Sequence, residues 1–169
     1  LPSGTEAYYS YDYGNIHFIS LDSHDSDRSP GSPMLVWLKN DLANTTADWI
    51  IAYWHHPPYT KGSHDSDKED HLIEVRQNIV PILESYGVDL VLTGHSHSYE
   101  RSFLLHGHYQ NSSELEDYMI VDDRSGQLDN EGPYKKGYAG LQAGNGAVYV
   151  TAGSSGKISG GDLDHPVMF

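Results

Sequence analysis

The sequence predicts an α/β fold. Short apolar runs rich in β-formers alternate with segments of helical periodicity. Toward the C-terminus the helical signal stops, and short β-like runs separated by glycines take over, so the fold is expected to be β-rich there.

Residues 16–21 form the first apolar run, ending at Asp22, and predict a buried strand. A loop of Ser, Asp, His, Gly and Pro follows through Pro33. Met34, Leu35, Leu38 and Leu42 recur at helical spacing, so residues 34–43 predict a helix. Residues 49–54 are the second strand, stopped by Pro57 and Pro58. A second polar loop spans 60–70. Residues 72–86 carry Ile73, Ile79, Val80, Ile82 and Leu83 and predict a helix kinked near Pro81, with Gly87 as its C-terminal cap. Residues 88–93 are the third strand. Continuous runs of this kind predict strands buried on both faces, as in parallel sheets flanked by helices. Beyond residue 98, short runs at 102–105, 118–121 and 147–151 predict hairpins that extend the sheet, and the Gly-rich stretch 122–146 predicts a long surface loop.

The 169 residues suit one domain. With 10 basic against 24 acidic residues and a formal net charge of −14, the chain has no basic cluster with which to meet nucleic acid. The same balance argues against an acidic membrane surface. No apolar stretch is long enough to cross a bilayer. There is no cysteine, which excludes disulfides, thiolate metal sites and thiol nucleophiles. Any metal must be held by His, Asp, Glu, Asn or Tyr. Asn44-Thr45-Thr46 and Asn111-Ser112-Ser113 fit the glycosylation sequon and point weakly to a secreted protein.

In open α/β sheets, ligands gather at loops beyond the carboxyl ends of the strands. His55 and His95 each stand just after such a strand. Gly94-His95-Ser96-His97 places two imidazoles, one residue apart, on a loop where Gly94 allows a sharp turn. Neutral imidazole is the commonest metal-binding side chain, so this loop can face two adjacent metal positions. His56 is read as a neighbour of the ligands. His106-Gly107-His108 lacks a preceding buried strand and is read as a hairpin turn. His17 is read as packing or facing solvent, and His165 as structural. Asp22, Asp25 and Asp27 lack the glycine and distal glutamate of a calcium loop and are read as a solvated acidic loop. Glu100 and Arg101 are expected to form an internal ion pair holding the histidine loop.

Residues 49–59, and above all Gly94-His95-Ser96-His97-Ser98-Tyr99-Glu100-Arg101-Ser102, closely resemble the purple acid phosphatases among the calcineurin-like metallophosphoesterases. Tyr11-Asp12-Tyr13-Gly14-Asn15-Ile16-His17-Phe18, Gly153-Ser154-Ser155-Gly156 and Asp164-His165-Pro166 extend the resemblance over nearly the whole chain. It implies half of an α/β/β/α sandwich and residues 1–169 as the C-terminal part of a single catalytic domain. It implies two metal ions in the complete protein, iron with zinc, manganese or a second iron. His55 and His95 match ligands of the divalent ion, His97 matches a ligand of the other, and His64 matches a non-ligand histidine that meets the substrate phosphate. The family's earlier motifs, Gly-Asp-x, Gly-Asp-x-x-Tyr and Gly-Asn-His-Asp/Glu, do not precede His55 here, so an N-terminal half of the domain is expected as the chain's partner. The implied substrates are phosphate monoesters, as small molecules or phosphoproteins, and the implied location is secreted, extracellular or periplasmic. Two other readings remain open: a catalytically incomplete metal-binding or structural fragment, and a cyclic-nucleotide or other phosphodiesterase of the same superfamily.

Overall fold

The computed structural model describes residues 2–129 and 131–169. The domain expected over 1–169 and the loop expected over 122–146 include Leu1 and Asn130, which lie outside the described residues. The elements are β1 (Tyr9–Tyr13), β2 (Ile16–Ser20), α1 (Pro33–Asn44), β3 (Trp49–Tyr53), α2 (Asp70–Glu74), a π-helical segment (Val75–Ile79), α3 (Val80–Ser85), β4 (Leu90–Thr93), β5 (Tyr99–Arg101), β6 (Leu104–Leu105), β7 (Ile120–Asp122) and β8 (Val148–Ala152).

Six strands form one sheet in the order β1-β2-β3-β4-β8-β5. The central strands β2, β3, β4 and β8 run parallel, and the edge strands β1 and β5 are antiparallel. Helices connect β2 to β3 and β3 to β4, as parallel pairing requires. The expected helices and the strands at 16–21, 49–54, 88–93 and 147–151 are present, and the mixed α/β class holds. The runs at 102–105 and 118–121, expected to extend this sheet, instead contribute β6 and β7 of a separate two-stranded sheet. Strand β1 was not expected, because its tyrosine-rich, half-exposed residues give no alternating apolar signal.

One face of the sheet carries Ile19, Ile50, Ala52, Val91 and Tyr149, which pack with Met34, Leu35 and Leu38 of α1 and with Val75, Ile79 and Leu83 into a single core. The other face carries Phe18, Trp49, Ile51, Tyr53, Leu90, Leu92, Val148 and Val150, all partly or fully exposed. Trp49 is 53% exposed and Leu92 37%. The expectation of strands buried on both faces is corrected: among the described residues only one face is covered by helices. Near the open face, Lys136 pairs with Asp89 at 2.5 Å and Tyr134 donates to the Ser102 carbonyl at 3.1 Å, which anchors the 122–146 loop there.

Where a kink was expected near Pro81, the helix carries the π segment just before it. Proline has no N–H for the usual bond back to residue 77, and the Val80 amide donates instead to the Val75 carbonyl. Gly87 at φ +77° then ends α3, with the Val88 amide bonded to the Leu83 carbonyl at 3.1 Å. The hairpin turn expected at residues 106–108 is also corrected. Strand β6 pairs with β7 only after a connection containing two short 3-10 turns. His108 is fully buried against Tyr59 and lies near His165, where its ring serves packing.

His17 is a buried hub. Its two ring nitrogens lie 2.6 Å from Asp12 and 2.8 Å from Asp41. A carboxylate only accepts, so both nitrogens donate, as the imidazolium does. The bond to Asp41 raises its pKa most, with burial opposing and Asp12 adding less. This order follows exposure, since Asp12 is 68% exposed and Asp41 14%.

Two outcomes follow. In Gly87→Ala a Cβ would lie 2.5 Å from the Gln142 amide nitrogen in a left-handed backbone, so stability should fall by about 1–3 kcal/mol in thermal or urea unfolding. The folded-state pKa of His17 is raised above 6.5, so its contribution is complete below pH 6.5 and lost as pH rises through the raised value. The gap in melting temperature between the parent and His17→Gln should therefore be widest between the carboxylate range and pH 6.5 and narrow at higher pH.

Candidate metal centre

The site forms where β3 and β4 end. Ala52 is level with Val91 and Tyr53 with Leu92, and the pairing continues past the strands: Trp54 donates to the Leu92 carbonyl at 3.2 Å and Gly94 to the His55 carbonyl at 3.0 Å. His55 and His95 therefore emerge side by side. Nε2 of His55 lies 3.0 Å from Nδ1 of His95. Two nitrogens bound to one ion at about 2.0–2.1 Å would stand about 2.9–3.4 Å apart, between right-angle and tetrahedral geometry. The pair thus fits a shared metal ion.

His95 has φ +60°, a backbone region that residues with a Cβ rarely occupy. Such strain concentrates at functional sites. The loop is held in this shape from beneath. Glu100 is buried, and its carboxylate accepts from Thr60 Oγ1 at 2.5 Å, Ser98 Oγ at 2.7 Å and the Lys61 amide at 2.9 Å. The expected Glu100–Arg101 pair is corrected. Successive residues on a strand face opposite sides, and Arg101 lies over the Tyr134 and Phe169 rings instead. Asp22, in the expected acidic loop, accepts from the amides of His24, Asp25 and Ser26.

Two overlapping sets bring ligand atoms within 4.8 Å of one another: His55, His56 and His95, and His64, Glu69 and His95. His56 is buried, with Nδ1 3.0 Å from Ser23 Oγ. His64 Nδ1 faces both Glu69 oxygens at 2.9 and 3.0 Å, and its ring centroid lies 3.8 Å from that of His95. His97 joins neither set among the described residues. Its amide donates to Ser63 Oγ at 2.9 Å, and its Nδ1 lies 3.2 Å from Ser159 Oγ. The structure therefore gathers three of the four expected site residues and holds the fourth further along the same loop.

Burial, followed by the nearby imidazoles of His24, His64 and His97, holds His55 below its ordinary pKa. Burial, then His64 and His55, does the same for His95. Burial and the surrounding histidines push His56 down to about 4. These rings are neutral at neutral pH, the form that binds metal.

The calcineurin-like phosphoesterase family model matches residues 2–99. The chain belongs to the calcineurin-like phosphoesterase family. It is 36% identical over 103 residues to probable purple acid phosphatase 20 of Arabidopsis thaliana, covering 59% of this chain and 23% of that protein. It is 29% identical over 166 residues to purple acid phosphatase 23 of the same plant, covering 96% of this chain and 28% of that protein. The fold resembles a purple acid phosphatase from yellow lupin (Lupinus luteus) seeds, with TM-score 0.62 and 19% identity over 92% of this chain and 24% of that one. The chain spans about a quarter of the length of these relatives.

In this calcineurin-like phosphoesterase chain, sequence reasoning missed Glu69, which comes from the junction of a polar loop with α2 and carries no periodic signal. It also missed His24 and His71, whose rings stack near His56 at centroid distances of 5.7 and 4.7 Å. The count of 11 histidines in a cysteine-free chain was the one available cue.

Gly153 supports the loop by close approach. A Cβ there would lie 2.0 Å from the Ser96 carbonyl oxygen, between His95 and His97. Gly153→Ala should therefore shift the loop and weaken zinc or cobalt binding by about 10-fold or more, the scale of losing outer support for a ligand. Calorimetric titration measures this, with circular dichroism checking that the fold is retained.

Proposed function

We propose that this chain supplies part of a dinuclear metal centre that hydrolyses phosphate monoesters. The observation that carries the reading is the 3.0 Å approach of His55 Nε2 to His95 Nδ1 at adjacent parallel strand ends, in a family of phosphoesterases. The proposed cofactors are iron paired with zinc, manganese or a second iron. His55 and His95 would hold one ion and His97 the other. When bound, such ions supply Lewis acidity toward a phosphate ester and its attacking water.

The remaining steps belong to the side chains. Glu69 accepts the Nδ1 proton of His64 and so fixes that ring's orientation. His64 Nε2 is then the atom that meets a phosphate oxygen or the leaving group. His56, fixed by Ser23, walls the site on the side of β2. Neutral imidazoles and incoming cations let a phosphate approach a chain whose overall charge would repel it.

The proposal includes donors from outside these residues, within one catalytic domain. Two observations support it: the match covers only 23% and 28% of these relatives, and the sheet leaves an apolar face open with Trp49 53% exposed. Secretion is the proposed location. Both sequon asparagines, Asn44 and Asn111, are exposed, and no helix among the described residues is long and apolar enough to cross a membrane.

The test compares p-nitrophenyl phosphate with bis(p-nitrophenyl) phosphate, using the longer protein this reading requires and its His95→Ala variant, with iron and zinc or manganese supplied. The monoester should be hydrolysed faster. The variant should lose more than about 100-fold, since removing a ligand exceeds the 10–100-fold cost of removing its outer partners. Faster diester turnover would transfer the assignment to the phosphodiesterases, and undiminished activity in the variant would remove His95 from the centre.

A further inference from the structure

We propose that the chain carries an additional divalent-cation site formed by His64, Glu69 and His95, on the Nε2 side of the His95 ring. The two nitrogens of His95 face different groups. Nδ1 lies 3.0 Å from His55. Nε2 lies 3.7 Å from Glu69 Oε2. Glu69 in turn lies 2.9 Å from His64 Nδ1, and one donor atom from each of the three residues falls within 4.8 Å of the others. Two imidazoles and a carboxylate are the donors of open zinc sites, and they suit zinc or cobalt better than magnesium or calcium.

The three residues are already held together. The Asp65 amide donates to Glu69 Oε1 at 3.0 Å and fixes the carboxylate. Lys61 pairs with Asp65 and Asp67, and Asp67 accepts from the Ser112 amide at 2.9 Å and from its hydroxyl at 2.5 Å. These contacts tie the 60–70 loop at both ends. The side chains of His64, Glu69 and His95 are 30%, 37% and 22% exposed, so an ion can reach them from solvent.

A cation here displaces the proton of His64 Nδ1 and, when His95 Nδ1 also holds an ion, the proton of His95 Nε2; each proton passes to solvent, and the cation coordinates the two rings and Glu69 directly. The site goes beyond the dinuclear reading, in which His64 is not a ligand and Glu69 only orients it. Its occupation withdraws His64 from the phosphate, so catalysis and this cation compete for one imidazole.

Zinc titration of the 169-residue chain by calorimetry, with Glu69→Gln, His64→Ala and His97→Ala variants, tests the site. Glu69→Gln and His64→Ala should each lose one binding event that His97→Ala keeps. Anomalous diffraction from zinc-soaked crystals should then place an ion about 2.0–2.2 Å from a Glu69 oxygen. Binding by Glu69→Gln that matches the parent overturns the proposal. So does an ion seated between His55 and His95 with Glu69 still bonded to His64, a result that would leave the dinuclear reading intact.

Discussion

The site depends on the register between β3 and β4. Parallel pairing sets Tyr53 beside Leu92, and the Gly94 amide extends the ladder to the His55 carbonyl at 3.0 Å. A slip of one residue would turn the buried side chains of one strand to the open face and offset the two strand ends. The register is itself fixed by burial, because Ile50, Ala52 and Val91 must all face the helices. The same apolar force that builds the core therefore aligns two polar side chains at its edge.

Much of this was legible in the sequence because it rests on periodicity. Met34, Leu35, Leu38 and Leu42 repeat with the helical turn, and all four are buried. The positions of His55 and His95 after apolar runs told where they would stand. What was not legible came from contacts between distant segments. Glu69 meets His64 and His95 only because a clamped loop folds back over the strand ends. The Glu100–Arg101 expectation failed because adjacency in sequence means opposition in a strand. Edge strand β1 is recognised by its ladder to β2 rather than by an apolar pattern.

The histidines divide by surroundings. His108 is fully buried with neither ring nitrogen bonded among the described residues, and burial pushes His165 down to about 3. These two are packing groups. His17 is bonded at both nitrogens and acts as a charge hub. His55 and His64 reach solvent, and each shares a set of converging ligand atoms with His95. Several acidic residues act as fasteners. Buried Glu84 accepts from the Gly107 amide and from Tyr109 and Tyr149, while Asp67 and Glu100 tie down the loops that carry His64 and His95. A net charge of −14 is thus compatible with the proposed phosphate-facing role, because carboxylates such as Asp67 and Glu100 are engaged with amides, hydroxyls and lysine.

Strand alternation sharpens the role of the strained residue. Along β3, Trp49, Ile51 and Tyr53 face the open side, and His55 continues that series. Along β4, Val91 and Thr93 face the helices, and His95 would follow them. Left to alternation, the two rings would leave the sheet on opposite sides. The left-handed turn at His95 swings its ring back to within 3.0 Å of His55. Gly153, pressed against the Ser96 carbonyl, and Glu100, bonded beneath the loop, hold that turn in place. Because His55 belongs to the open-face series, an element laid over Trp49, Ile51 and Tyr53 would end beside it. Under the proposed dinuclear reading, covering the apolar face and bringing further donors to the metal centre would be the same event.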